Sequence, residues 1–241
     1  TTSGTAGNVT IDNGTTALDL GASTISGTLS ATSGAAAGIV DSGNVAVSGD
    51  VTLTTDANNG VINLGTLQQS GGDLILTTNG TGDATVVNNA AIDFGASNVG
   101  GALSATASAG TITQNGGALT VAGTSAFTTS TADQAITLSN TANALTGAVS
   151  LTTSGTVGHV TIDNGTTALG VQGTVSGDLA LTSGEAITDS AALSVTGTTT
   201  VTTDVADKTI TLDTLASTGN VILTTSGTAG NVTIDNGTTA L

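Results

Sequence analysis

The side chains of this sequence that could do chemistry are mostly aspartates placed just before short alternating runs. Asp50, Asp73 and Asp178 each follow a glycine and precede runs such as VTLTT and LILTT. The separation of Asp50 and Asp73 is typical of one solenoid coil, which would place them about 5 Å apart, close enough to share a Ca²⁺ ion. We favour plain turn chemistry and expect no cofactor, because equivalent turns carry Ala148 and Asn220.

Other catalytic chemistry finds little support in the sequence. The single histidine, His159, stands where sister copies of the same phrase carry Asn8 and Asn231, which favours a turn residue over a general base. No G-x-S-x-G elbow occurs, and one histidine cannot serve a repeated triad. Lys208 is the only basic residue apart from that histidine, too little for a polysaccharide lyase site on a β-helix. We therefore predict that the chain is not an enzyme.

Two further surface chemistries follow from asparagine and threonine. Asn-x-Thr sequons make candidate N-glycosylation sites in a secreted protein, although Asn-Gly is equally typical of turns. Thr-x-Thr pairs such as Thr52/Thr54, Thr200/Thr202 and Thr209/Thr211 resemble those of ice-binding faces, but we expect them not to recur at one register in consecutive coils. The sequons begin at Asn8, Asn13, Asn79, Asn164, Asn231 and Asn236.

Composition narrows the fold and the partners. Seventeen acidic residues against one Lys or Arg give a net charge of −16, which argues against nucleic acid and anionic membranes as partners. No apolar run is long enough to cross a bilayer, so we expect no membrane insertion. The chain has no Cys or Pro and two Phe, while abundant Val, Ile and Thr favour strands over disorder.

Internal repeats dominate the sequence. The phrase TTSGTAGNVTIDNGTTAL occupies residues 1–18 and recurs unchanged at 224–241, and a close copy occupies 152–169. We therefore interpret 1–241 as one continuous segment of a longer tandem array, with a super-repeat of 1–223 that restarts at 224.

A finer period predicts the fold. Isoleucine anchors, with Val86 at one place, open successive alternating runs about 25 residues apart, and each unit carries up to three such runs. This predicts an all-β, right-handed parallel β-helix with three strands per coil and about nine coils per super-repeat. We expect the anchors to stack into a core ladder: Ile11, Ile39, Ile62, Ile112, Ile136, Ile162, Ile187, Ile210 and Ile234.

The repeats resemble a known family in style. Gly117–Gly155, GALTVAGTSAFTTSTADQAITLSNTANALTGAVSLTTSG, is similar to the repeats of filamentous-haemagglutinin-like adhesins. Those are giant bacterial exoproteins that fold as right-handed β-helices. The resemblance implies an extracellular or cell-surface location.

The resulting prediction is a structural or adhesive fibre, in which the repeats act as the stiff stalk of a surface adhesin. An alternative is a subunit that stacks end to end into a filament or sheath. A weaker one is a face that binds carbohydrate or ice, although carbohydrate platforms usually need aromatic residues. Expected partners are adjacent repeats or copies of the chain, together with cell-surface or matrix glycans.

Overall fold

The fold is all-β. The computed structural model describes residues 1–4 and 6–238, and every regular element in that part is a β-strand. Runs rich in Val, Ile, Leu and Thr form the strands, and Gly, Asn and Asp end them. The strands are β1 (Val9–Asp12), β2 (Leu18–Leu20), β3 (Ser23–Ile25), β4 (Leu29–Ser33), β5 (Ile39–Asp41), β6 (Val45–Val47), β7 (Val51–Asn58), β8 (Ile62–Gln69), β9 (Leu74–Asn79), β10 (Ala84–Asn88), β11 (Ile92–Val99), β12 (Leu103–Ala107), β13 (Ile112–Val121), β14 (Ser125–Thr129), β15 (Ile136–Leu138), β16 (Ala144–Leu145), β17 (Val149–Thr152), β18 (Val160–Asp163), β19 (Leu169–Val175), β20 (Leu179–Ser183), β21 (Ile187–Val195), β22 (Thr199–Thr203), β23 (Ile210–Leu212), β24 (Leu215–Ser217), β25 (Val221–Thr224) and β26 (Val232–Ile234).

Two parallel sheets run along the molecule. Within the described residues one sheet has 12 strands and the other 14, and strands from successive coils lie side by side. The length of a coil varies along the chain: it is short between the register partners Leu169 and Ile187 and longer between Ile112 and Ile136. The mean is about 22 residues per turn. The predicted parallel β-solenoid is confirmed.

Bent strands divide each coil into three faces. In β8, residues 62–64 pair with β5 and β10, whereas residues 67–69 pair with β6. β13 bends in the same way, at Gly117 with its φ of 137°, so that its first arm pairs with β15 and its second with β16. We number the faces 1, 2 and 3 after β1, β2 and β3. The three alternating runs predicted for each coil are these three segments.

The register partners along face 1 give the number of solenoid turns between the two identical copies of the repeated phrase. Val9 and Val232 occupy the same place in the identical outer copies of the repeated phrase, and they lie on the same face ten turns apart. The structure thus has about ten turns where about nine coils were predicted. The successive face 1 segments are residues 9–12, 29–33, 51–54, 74–77, 97–99, 119–121, 144–145, 164–171, 187–189, 210–212 and 232–234.

The difference of one turn has a geometric cause. The anchors stay on one face for about three coils and then move to the next face, which adds a third of a turn to that interval. Nine anchor intervals therefore span ten turns. Ile11 is on face 1; Ile39, Ile62 and Val86 are on face 2; Ile112, Ile136 and Ile162 are on face 3; Ile187, Ile210 and Ile234 are again on face 1.

The anchors consequently form several short ladders instead of one. Direct register partners are Ile39 with Ile62, Ile112 with Ile136, and Ile187 with Ile210. All the predicted anchors from Ile39 to Ile210 are buried, and Ile11 and Ile234 in the outermost coils are partly buried against the same core. Leu and Val fill most of the other inward positions, together with Ala, some Ser and Thr, and the two phenylalanines, Phe94 and Phe127. A largely aliphatic core of this kind stabilises each coil only through its neighbours.

Candidate functional site

Carboxylate and amide oxygens at the turns hold each coil to the next. Asp41 accepts the N–H groups of Gly65 and Thr66, at 2.9 and 2.8 Å, one coil further on. Asp133 accepts those of Thr156 and Val157, at 2.6 and 2.9 Å. These hydrogen bonds stabilise the ionised form and lower the pKa of Asp133. Many of the aspartates that could do chemistry are thus bound to the backbone.

Buried asparagines complete the ladders at the corners of the coil. Asn164, which is fully buried, accepts the N–H of Leu145 at 2.8 Å and donates to its carbonyl at 3.1 Å. It also donates to the carbonyls of Thr167 and Ala168, at 3.1 and 3.0 Å. A side-chain amide therefore makes the pair of bonds that a strand residue would make. Asn88 bridges to Gln69 in the same manner.

This geometry divides the six predicted glycosylation sites. Asn164 and Asn236 are buried with their amide groups bonded to the backbone, and Asn13 donates its amide to Thr16 and Ala17. A glycan on either buried nitrogen would break the corner, so we withdraw Asn164 and Asn236 as acceptors in the folded protein. The exposed sites are Asn8, Asn79 and Asn231, and glycosylation stays a prediction there.

The three calcium candidates do not come together. Asp50 and Asp73 lie on adjacent coils as expected, but the Asp73 N–H donates to the Asp50 carboxylate at 3.0 Å. Asp178 lies elsewhere, before β20, and accepts the N–H of Thr198 at 2.7 Å. Within the described residues no group of three or more His, Asp or Glu side chains is placed to hold a metal ion. Turn hydrogen bonds account for the carboxylates of Asp50 and Asp178.

Asp73 is nevertheless electrostatically unusual. Partial burial raises its pKa, and the nearby carboxylates of Asp93 and Asp50 raise it further. One oxygen of Asp93, Oδ1, is closed off from solvent without a partner, while Asn115 donates to the other at 2.6 Å. The cleft beside it, about 270 Å³ in volume, is lined by residues 69–72, 90–91, 93 and 113. None of these lining residues is a cation, so the repulsion between the carboxylates is not offset there.

Replacing Asp73 with Asn is expected to stabilise the protein at neutral pH. A carboxyl whose folded pKa is raised favours folding below its unfolded pKa, and that contribution is lost as pH rises through the folded pKa. Asp73→Asn should therefore raise Tm at pH 7 and change it little near pH 3. Asp133→Asn is the opposite control, because the pKa of Asp133 is lowered: it should lower Tm at pH 7. Thermal unfolding followed by circular dichroism decides, and an equal shift at both pH values would contradict the account.

The remaining polar candidates also have structural partners. His159 Nδ1 accepts the N–H of Asp178 at 2.9 Å, just as the amide oxygen of Asn8 accepts that of Thr28. His159 therefore lies in a turn, and its Nδ1 is also 3.4 Å from the Asp178 carboxylate, a neighbour that the sequence did not predict. Lys208 donates to both carboxylate oxygens of Glu185, at 2.7 and 2.8 Å, and so joins two coils.

Single threonines line up along the faces, whereas the Thr-x-Thr pairs do not recur. On face 2, Thr106, Thr128, Thr152 and Thr174 are consecutive register partners. The register partners of Thr52 are Ser30 and Ile75, so the pair Thr52/Thr54 is not repeated in the adjacent coils, as predicted. Alternate residues of the face 2 strands face outward, but the second outward column mixes Ser150, Ala126 and other types. Each face therefore carries a single outward column of register-paired threonine hydroxyls, which we call a file. Shorter files are Thr32, Thr54 and Thr77 on face 1 and Thr182, Thr202 and Thr224 on face 3.

Comparison with known proteins gives one match. The family profile described as Repeats of unknown function (DUF5649) matches residues 6–77, 81–152 and 157–228, which together cover most of the chain. The chain belongs to the DUF5649 repeat family. No curated protein and no solved structure matches it. In the part of the chain that the structure describes, no helix has the length and hydropathy of a membrane span.

Each DUF5649 repeat carries, among its described residues, one non-glycine residue in the left-handed region at the same place. Asn59, Asp133 and Asp207 have φ values of 61°, 63° and 64° and are evenly spaced along the sequence. Each accepts N–H groups from the Gly-Thr turn of the following coil. Asn and Asp tolerate this conformation better than other side chains. The position is therefore a structural signature of the repeat.

The repeats and the coils have different periods. The matched segments begin at residues 6, 81 and 157. Because a turn takes about 22 residues, one repeat spans close to three and one-third turns. The strand after the Gly-Thr sequence accordingly moves from face to face. It is β1 on face 1, β10 on face 2, β18 on face 3 and β26 on face 1 again.

Proposed function

We propose that these DUF5649 repeats form a segment of a stiff extracellular fibre, the stalk or body of a large repetitive surface protein. The observation that carries the proposal is the uninterrupted parallel ladder, in which successive turns share one core. Each turn adds about 4.8 Å, so the super-repeat is about 48 Å long. The side-chain bonds between coils oppose bending and local opening.

The polar side chains support a mechanical role over a catalytic one. His159, Lys208 and several aspartates, among them Asp41 and Asp133, are bonded to the neighbouring coil. These contacts give the polar side chains a structural role that requires no substrate. The surface is acidic and rich in hydroxyls, which keeps a long rod soluble and separate from other acidic polymers. No enzymatic activity is therefore part of the proposal.

The proposal that the fibre is the stalk of an adhesin rests on the resemblance of its repeats to those of a known family. The Leu-x-Val and Ile-Thr-Leu phrases are similar to those of filamentous-haemagglutinin-like adhesins, and this supports a cell-surface stalk with neighbouring repeats and surface glycans as partners. A solenoid that displays hydroxyls in single files suits weak, repeated contacts with hydrated polymers better than one tight pocket.

The test is the size and location of the native polypeptide. An antiserum raised against this chain should label intact, unpermeabilised cells of the source organism. On a denaturing gel it should detect a species of hundreds of kilodaltons, as covalent tandem repeats require. A band near the mass of this chain would contradict the stalk and would indicate a subunit that assembles with its own copies. Labelling only after permeabilisation would overturn the extracellular location.

A further inference from the structure

Six asparagines of this chain are each followed by glycine, the sequence in which an asparagine most readily loses its amide. The backbone nitrogen of the glycine attacks the side-chain Cγ, and glycine favours this because it has no Cβ to shield that nitrogen. The attack also needs a glycine N–H that no other acceptor holds and an amide group that can turn towards it. The six are Asn13, Asn59, Asn79, Asn115, Asn164 and Asn236.

The three asparagines of the phrase IDNG are held against this reaction. In each copy the N–H of the glycine donates to the carboxylate of the aspartate that precedes the asparagine, so attack would first have to break a charge-assisted hydrogen bond. Asn164 and Asn236 are in addition buried, with their amides bonded to the preceding coil. The acceptors are Asp12, Asp163 and Asp235, at 2.9, 2.9 and 2.8 Å.

Asn59 and Asn115 are constrained in other ways. Gly60, which follows Asn59, is buried and donates its N–H to the carbonyl of Ala57 at 3.0 Å. Asn115 lies within β13 and donates its amide to the carboxylate of Asp93 at 2.6 Å. Because a paired strand keeps its backbone extended, the glycine nitrogen after Asn115 is not free to approach the side chain.

Asn79 is the least constrained of the six. It is the last residue of β9, and both Asn79 and Gly80 are exposed. Across the described residues the N–H of Gly80 donates to no acceptor. The carboxamide of Asn79 makes one hydrogen bond there, from Nδ2 to the carbonyl of Asp56 at 2.8 Å. The nucleophile is therefore free, and a single bond holds the group that it would attack.

We propose that Asn79 is a site of spontaneous deamidation in the folded protein. The nitrogen of Gly80 forms a bond to Cγ of Asn79, the bond from Cγ to Nδ2 breaks, and Nδ2 leaves as ammonia with the proton from Gly80. One water molecule then opens the resulting succinimide ring. Addition of water at Cγ gives aspartate, whereas addition at the main-chain carbonyl carbon gives isoaspartate. The reaction needs only water, so it does not depend on the proposed role as a fibre.

The product changes a contact between coils. The main-chain carbonyl of Asn79 accepts the N–H of Asn59 at 2.9 Å, and Asn59 is the left-handed residue of the first repeat. In isoaspartate the main chain passes through Cγ, so this carbonyl becomes part of a free carboxylate and leaves the ladder. Either product also ends the hydrogen bond to Asp56, because an ionised carboxylate cannot donate.

Peptide mapping by mass spectrometry tests the proposal. The folded protein and the protein denatured in guanidinium are kept in mildly alkaline buffer, and asparagine, aspartate and isoaspartate are separated at each position. In the folded protein Asn79 should be converted at least about tenfold faster than the IDNG asparagines, since breaking a hydrogen bond to a carboxylate slows the attack by about that factor or more. In the denatured protein these sites should react at similar rates.

Two variants serve as controls. Asn79→Ser should remove the fast reaction and keep the circular dichroism of the parent, because equivalent phrases carry Ser3, Ser154 and Ser226 at this position. Asp12→Ala frees the glycine N–H in an exposed turn, and it should speed the conversion of Asn13 while leaving Asn79 unchanged.

Two results would overturn the proposal. One is an Asn79 that stays unconverted in the folded protein while the denatured protein reacts. The other is conversion of the IDNG asparagines as fast as Asn79 in the folded protein, because the free N–H of Gly80 would then not select the site. No acceleration at Asn13 in Asp12→Ala would contradict the effect assigned to the Asp12 carboxylate. The cell labelling that tests the extracellular location is decided separately from all of these outcomes.

Discussion

Replacing the buried corner asparagine Asn164 with alanine is expected to lower the free energy of unfolding by about 3 kcal/mol. The variant loses the bonds to both backbone groups of Leu145, and those groups stay buried without a partner. The carbonyls of Thr167 and Ala168 lose a donor as well. Because each buried unpaired group costs about 1–3 kcal/mol, the loss should exceed that of an ordinary turn substitution.

The same phrase offers a matched control. Asn13 is the equivalent residue in the first coil, is only half-buried, and donates to Thr16 and Ala17 alone. Asn13→Ala should lower the free energy of unfolding by about 1 kcal/mol. Guanidinium denaturation of both variants measures the difference. Equal losses would show that the bridge to the previous coil contributes nothing.

The fold class was predictable because local signals agree. Alternating β-branched residues, turn residues after a few positions and a fixed repeat all favour stacked parallel strands. The burial of anchors such as Ile39, Ile136 and Ile210 follows from that alternation. Sheet register was less accessible: a period-two pattern says which residues point inward, but not which residue of the next coil stands beside them.

The number of coils could not be read from the anchors, for a physical reason. When the anchor sequence moves to the next face, the interval between two successive anchors covers one and one-third turns instead of one. The spacing of the anchors in the sequence therefore does not equal the length of a coil. Asn88 and Asn164 make the shift, because their amides stand in for a strand residue at the corner. In the sequence they look like turn residues or, for Asn164, a glycosylation sequon.

The sequence predicts that the candidate aspartates lie in turns, but it does not identify the groups to which their carboxylates bond. Asp50, Asp73 and Asp178 are turn residues, as favoured, and Asp50 and Asp73 do lie on adjacent coils. The backbone N–H groups that bond to the carboxylates of Asp50 and Asp178 lie a full coil away in sequence, so only the coil register identifies them. The even spacing of Asn59, Asp133 and Asp207 was present in the sequence, and the left-handed conformation gives it meaning.

Replacing Gly38 with alanine tests how closely consecutive coils approach. Gly38 has a φ of 65°, and an added Cβ would overlap the carbonyl of Val61 on the next coil. The substitution therefore combines left-handed strain with a clash against backbone that cannot turn aside, because that carbonyl accepts the N–H of Ile39. We expect Gly38→Ala to lower the free energy of unfolding by about 3 kcal/mol.

Gly21 provides the control for that substitution. It is exposed, has no left-handed φ, and an added Cβ would meet no atom within 4 Å. Gly21→Ala should be neutral or slightly stabilising, because alanine reduces the freedom of the unfolded chain. Denaturation of the two variants side by side separates steric contact between coils from the general effect of removing a glycine. If both variants unfold at the same denaturant concentration, the coils are not in contact at Gly38, and the register that places Val61 beside it is wrong.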